Sequence, residues 1–170
     1  MPPFLLTTQL LDLLVESRAS VINTASGAHK WVRNIAIVDF ENTQGRRPIV
    51  AYAISKLANI LFTKELHRRY HADGLSAAAV HPGVVATNFS RASGSRAFAF
   101  LEKLSLPRLF ATAEQGAAPL ARLASSTPGI DWRPGEYYVK CEIGKASRSA
   151  CDPHLARDLW DRTLTTIGHL

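Results

Sequence analysis

Parallel β-strands cannot be joined by a tight turn; they need a crossover, usually a helix. This chain has the pattern for one. Residues 20–25 and 75–80 are short runs of small and branched apolar residues that suit buried strands. Between them, residues 49–70 repeat Ile54, Leu57 and Leu61 at helical spacing. Lys64, Arg68 and Arg69 place positive charge in the last turns of that segment, where the helix dipole favours it. Upstream, residues 4–15 form a broad apolar helical face that includes Leu6, Leu10, Leu13 and Leu14. Downstream, residues 112–125 read as a helix that Thr112 and Gln115 begin with a capping box, with Pro119 in its middle. Residues 136–140 predict a third strand and residues 155–165 a last amphipathic helix. Residues 27–48 and 88–110 read as irregular. Strands alternating with helices, with no repeat and no linker, predict an α/β fold with a parallel sheet, in a single domain over residues 1–170.

Composition narrows the function classes. A chain of 170 residues is long enough for a real core, and 46% hydrophobic with 20% charged residues is ordinary globular usage. Cys141 and Cys151 are too few for a four-ligand zinc site or a disulfide framework, so free thiols and no metal are expected. The net charge of +6 is scattered and not interleaved with aromatics, which argues against nucleic acid. No run approaches the ~18 apolar residues of a membrane span. Asp12 and Glu16 precede the first basic residue, Arg18, so the start is a poor secretory signal and a cytoplasmic location is expected.

Tyr52 and Lys56 stand four apart on the predicted helix, so their side chains share a face. Taken alone, that is a common surface pair. A phenol with a pKa near 10 is a poor base, and lowering it by ~3 units takes ~4 kcal/mol of charge stabilisation, which a neighbouring ammonium and a cationic ligand can supply. The context is more telling. Ser26 follows the first strand, and residues 81–87 follow the second. In a parallel α/β sheet, ligands bind beyond the carboxyl ends of the strands, so these segments meet at one crevice beside the Tyr52 helix.

Thr24-Ala25-Ser26-Gly27-Ala28-His29-Lys30, Tyr52-Ala53-Ile54-Ser55-Lys56-Leu57-Ala58-Asn59 and His81-Pro82-Gly83-Val84-Val85-Ala86-Thr87, in this order, resemble the second half of a short-chain dehydrogenase/reductase. The wording is closest to the branch of retinol dehydrogenases, the WW-domain oxidoreductase and protochlorophyllide-reductase-like proteins. The resemblance implies a partial Rossmann-like, doubly wound parallel sheet of about three strands with flanking helices. It implies an oxidoreductase using NAD or NADP on an alcohol or carbonyl. Tyr52 would exchange the proton with the substrate oxygen. Lys56 would acidify Tyr52 and bind the nicotinamide ribose. Ser26 would hydrogen-bond the substrate, and Val85 and Thr87 would hold the carboxamide.

One departure is large. The family's Gly-rich strand–turn–helix for the pyrophosphate does not occur in these 170 residues, and its catalytic Asn has no counterpart; Asn23 and Asn59 match other positions. Cofactor binding by this chain is therefore expected to be weak. A non-catalytic remnant acting through protein association is the alternative. Homo-oligomerisation is expected through the helices at 4–15 and 49–70, using Leu10, Leu14, Leu57 and Leu61; otherwise the open strand at 20–25 would pair with another chain. Phe98, Phe100 and Leu101 suggest a bulky or lipophilic substrate. Loop residues His29 and His81 flank the crevice and are expected to be solvated. Trp31, Trp132 and Trp160 are expected to anchor packing, and Arg46 and Arg47 not to form a phosphate site.

Overall fold

The computed structural model describes residues 2–42, 45–83 and 111–168. Strands β1 (Ser20–Thr24), β2 (Ser76–His81), β3 (Tyr137–Val139) and β4 (Glu142–Ile143) form one sheet in the order β1-β2-β3-β4. β1, β2 and β3 are parallel, with Ser20 opposite Ser76 and Ala79 opposite Tyr137. β4 returns antiparallel to β3 after only Lys140 and Cys141 and was not expected from sequence. Two residues carry too little periodicity to announce a strand.

The helices are α1 (Pro2–Gln9), α2 (Leu11–Glu16), α3 (Pro48–Tyr70), α4 (Ala113–Ser125) and α5 (Pro153–Ile167). The crossover α3 starts on Pro48, whose fixed φ suits a first helical turn, and its last turn carries His67, Arg68 and Arg69. Gly74, at φ +99°, turns the chain into β2, and a Cβ there would stand 2.9 Å from the Arg18 side chain. At α4, Thr112 Oγ1 accepts from Gln115 N–H at 3.2 Å, and Gln115 Oε1 accepts from Thr112 N–H at 3.0 Å, so the expected capping box is present. Asp152 caps α5 by accepting from His154 and Leu155 N–H, which moves that helix start ahead of the expected residue 155.

The sheet is covered on both faces. Residues alternate along β2: Ala77 and Ala79 face one side, Ala78 and Val80 the other. On the first side, Leu57, Ile60 and Leu61 of α3 pack with Ala79, Tyr137 and Leu159. Next to them, Phe4 of α1, Phe62, Leu66 and Trp160 form an aromatic cluster, with Phe4 4.8 Å from Trp160 and 5.3 Å from Phe62. On the other side, Leu123 of α4 meets Val80, Trp132 and Tyr138. The run of small residues in β2 lets both helical layers approach closely. Buried Glu65 holds Arg68 and Arg69. Burial works to raise its carboxyl, and the two guanidinium groups outweigh that, leaving it below the usual carboxylate range.

Three expectations are corrected here. Leu57 and Leu61, expected at a subunit contact, are fully buried against the sheet, because the apolar stripe of a crossover helix is what covers its own strands. Trp31 is exposed, and only Trp132 and Trp160 are buried anchors. The segment at 4–15 is two helices, broken at Leu10, and only Phe4 and Thr7 are buried in α1. Phe98, Phe100 and Leu101 lie outside the described residues.

Candidate active site

The site is built on the α3 face turned toward β1. Tyr52, Lys56, Asn59 and Thr63 follow at spacings of four, three and four, so they form one polar stripe along the helix. The stripe is bonded to the strand beside it. Lys56 Nζ donates to the Thr24 carbonyl at 3.2 Å, and Asn59 Nδ2 donates to the same oxygen at 2.9 Å. One turn deeper, Asn23 Nδ2 donates to Thr63 Oγ1 at 2.9 Å, and that hydroxyl donates to the Asn59 carbonyl at 2.8 Å. The carboxyl end of β1, paired with β2 through Thr24 and Val80, is thus also fixed against α3 by side chains.

Ser26 lies two residues beyond Thr24, in extended backbone. Its Oγ accepts from Ala28 N–H at 3.2 Å and begins a 3₁₀ turn over Gly27–Trp31. A serine hydroxyl has one proton and two acceptor positions, and among the described residues no acceptor takes the Ser26 proton. The Lys56 ammonium sits 5.6 Å over the centre of the Tyr52 ring, within cation–π range. Lys56 is half-buried, and desolvation pushes its ammonium below the ordinary lysine range. Lys56, with the Tyr52 ring beneath its ammonium, is thus held at the strand end that Ser26 follows by two residues. Val85 and Thr87 lie outside the described residues.

The end of β2 lies beside this corner. A Cβ on Gly27 would stand 3.4 Å from His81 Nε2, in van der Waals contact, so the turn after β1 lies against the last residue of β2. Burial lowers His81 below the ordinary histidine range, and the nearby basic side chains His29, Lys30 and Lys140 act in the same direction. Tyr137, on β3, is excluded as a proton carrier near pH 7. Its hydroxyl is buried with no partner among the described residues, and desolvation pushes the phenol up to about 12.

Two residues behave differently from expectation. His29 is fully buried, because the 3₁₀ turn folds its ring back against Tyr137. Asn59 is bonded to the strand end and was not singled out from the sequence as a site residue; its spacing with Tyr52 and Lys56 was the available signal. Arg46 pairs with Asp39 and donates to the Asn42 carbonyl. Among the described residues, no cluster of three or more His, Cys, Asp or Glu side chains is arranged to hold a metal. No described helix is long and apolar enough to cross a membrane.

No protein-family model matches the chain. Human retinol dehydrogenase 11 is 36% identical over 174 residues, covering 97% of this chain and 51% of that protein. Human retinol dehydrogenase 14 is 35% identical over 168 residues, covering 98% of this chain and 50% of its own. The chloroplastic short-chain dehydrogenase TIC 32 B of Brassica napus is 33% identical over 177 residues, covering 98% of this chain and 54% of its own. The chain thus spans about half the length of these curated relatives. A crystal structure of a protein from Mycobacterium paratuberculosis superposes with a TM-score of 0.60 at 28% identity, over 86% of this chain and 49% of that one. The NADPH-bound carbonyl reductase from chicken fatty liver superposes with a TM-score of 0.56 at 19% identity, over 84% of this chain and 52% of that one, a likeness of fold alone. Matches that run through nearly all of this chain, on a sheet of this topology, establish that it belongs to the short-chain dehydrogenase/reductase family, whose C-terminal half it carries.

Proposed function

We propose that this chain carries the proton-transfer machinery of an NAD(P)-dependent oxidoreductase acting on an alcohol or carbonyl. The observation that supports it most is the placement of Lys56, over the Tyr52 ring and bonded to the strand two residues before Ser26. In reduction, the Ser26 hydroxyl donates to the substrate carbonyl oxygen and polarises it, and Tyr52 delivers its proton to that oxygen. The Lys56 ammonium stabilises the phenolate left behind. Oxidation runs the same transfers in reverse. The nicotinamide cofactor supplies or accepts the hydride when bound.

The residues present fit one end of that cofactor. The Lys56 ammonium and Tyr52 phenol suit a nicotinamide ribose, and Val85 and Thr87 are proposed for the carboxamide. The pyrophosphate has no Gly-rich strand–turn–helix within these 170 residues. Calorimetric titration of the isolated chain with NADPH or NADH is expected to give no affinity tighter than about millimolar, ~4 kcal/mol. Micromolar binding would mean that the pyrophosphate is held by another device. The retinol dehydrogenase relatives support a bulky, lipophilic alcohol or aldehyde as substrate.

The test is nicotinamide turnover at near-saturating cofactor, with a long apolar aldehyde and a short polar one. The apolar aldehyde is expected to have the higher kcat/KM. Lys56→Met is expected to lower kcat/KM by about 100-fold and to move its pH profile to higher pH. Turnover by the wild-type chain that Lys56→Met leaves unchanged would overturn the assignment.

A second reading is a non-catalytic chain that acts by association, which the exposed Leu6 and Leu13 favour. Complete absence of turnover would support it. Association itself is proposed in either case: Leu6 and Leu13 are 64% and 61% exposed on α1 and α2, and β1 is an open sheet edge among the described strands. Light scattering is expected to show a mass that rises with concentration. A constant monomer mass with cooperative unfolding would contradict it.

A further inference from the structure

We propose that His29 is a positioning residue that ties the Ser26 turn to the C-terminal segment at Ser147, an inference that rests on the proposed role of Ser26. Both ring nitrogens of His29 are engaged. Nδ1 lies 2.6 Å from the Ser26 carbonyl oxygen, and Nε2 lies 3.1 Å from the Ser147 backbone nitrogen. The chemistry of the partners assigns the tautomer. A backbone N–H only donates, so Nε2 accepts from Ser147; a carbonyl only accepts, so Nδ1 carries the proton. The neutral imidazole is thus a rigid spacer with a donor at one edge and an acceptor at the other. It bridges backbone groups of residues 26 and 147 through a fully buried side chain.

The surroundings favour that neutral form. The ring stacks edge-on against Tyr137, with centroids 4.9 Å apart. Burial pushes His29 below the ordinary histidine range; the Ser26 bond opposes this, and the Lys30 charge adds to it. His81 and Lys140 lie across the same corner and are positive or neutral, never anionic. Protonation would set a second N–H against the Ser147 N–H. The consequence reaches the reacting group: the residue whose carbonyl His29 grips also supplies the hydroxyl, and its Oγ is oriented by Ala28 N–H at the start of the same turn. Freeing the carbonyl frees the turn.

Two substitutions separate the two bonds. The Asn amide nitrogen can take the place of Nδ1, so His29→Asn keeps a donor for Ser26 and loses the acceptor for Ser147. The Gln amide oxygen can take the place of Nε2, so His29→Gln does the reverse. In the wild-type chain, long-range ¹H–¹⁵N spectra are expected to show the Nδ1–H tautomer, and the Ser147 amide is expected to exchange slowly. In His29→Asn the Ser147 amide should lose its protection, in His29→Gln it should keep it, and in both kcat should fall about tenfold or more, because a tie cut at either end no longer holds the Ser26 turn. A kcat within about threefold of wild type in His29→Asn while its Ser147 amide exchanges fast, or kcat losses in both variants that only track their thermal midpoints, would reduce His29 to a packing residue and overturn the proposal. An Nε2–H tautomer or a fast-exchanging Ser147 amide in the wild type would also overturn it, whether or not the chain turns over. A wild-type chain without turnover, but with the Nδ1–H tautomer and a protected Ser147 amide, would support the tether while failing the oxidoreductase assignment.

Discussion

Tyr52→Phe is expected to lower turnover by about a thousandfold or more while leaving the thermal midpoint nearly unchanged. The substitution removes one oxygen and keeps the ring. The ring is only partly buried on α3, so little packing is lost. The oxygen is the proton donor in the proposed mechanism, and two nearby ring side chains are poor replacements for it. Tyr137 is too weak an acid, with its phenol pushed up to about 12, and His29 has both nitrogens committed to backbone. The measurement is kcat with an apolar aldehyde at near-saturating NADPH, together with a thermal melt. Near-full activity in the variant, with chemistry limiting the rate, would remove Tyr52 from the mechanism.

Trp160→Ala is expected to cost about 3–5 kcal/mol of folding stability, a large fraction of the ~5–15 kcal/mol that holds a domain of this kind. Trp160 is nearly fully buried, and two other helices, α1 and α3, converge on it. Phe4 brings α1 to its edge at 4.8 Å, Phe62 brings α3 to its face at 5.6 Å, and Tyr70 lies 6.1 Å away. The Arg69 guanidinium covers the indole 4.9 Å from its centre and also bonds Asp161 at 2.9 Å. Alanine would leave a cavity between three helices, and the long stem of Arg69 would lose its support. Denaturant unfolding followed by fluorescence and circular dichroism reads the effect. A loss below about 1 kcal/mol would mean that α1 and α5 are not packed as described.

The local features were legible in the residues themselves. The Thr112–Gln115 pair and the apolar spacing in α3 act within a few residues of one another, so they set a helix start and a helix face before any tertiary contact forms. The Tyr52–Lys56 face followed from helical geometry alone, and the Ser26 position from the end of a strand. The two-residue strand β4 was not legible, because its existence depends on pairing with β3. Nor was the direction of the α3 stripe: Leu57 and Leu61 are equally apolar whether they meet a sheet or a second subunit.

By itself, then, the sequence determined the strand–helix alternation, the capping box of α4 and which side chains share a helical face, since these depend on bonding and spacing over one to four residues. Only the tertiary structure decided that α3 buries Leu57 and Leu61 against its own sheet, that Asn59 and Lys56 share the Thr24 carbonyl, and that His29 is a buried bridge to Ser147. The physical reason is distance along the chain. The His29–Ser147 bond joins residues 118 positions apart, and no local preference of either residue encodes a partner that only the closed sheet brings within 3.1 Å.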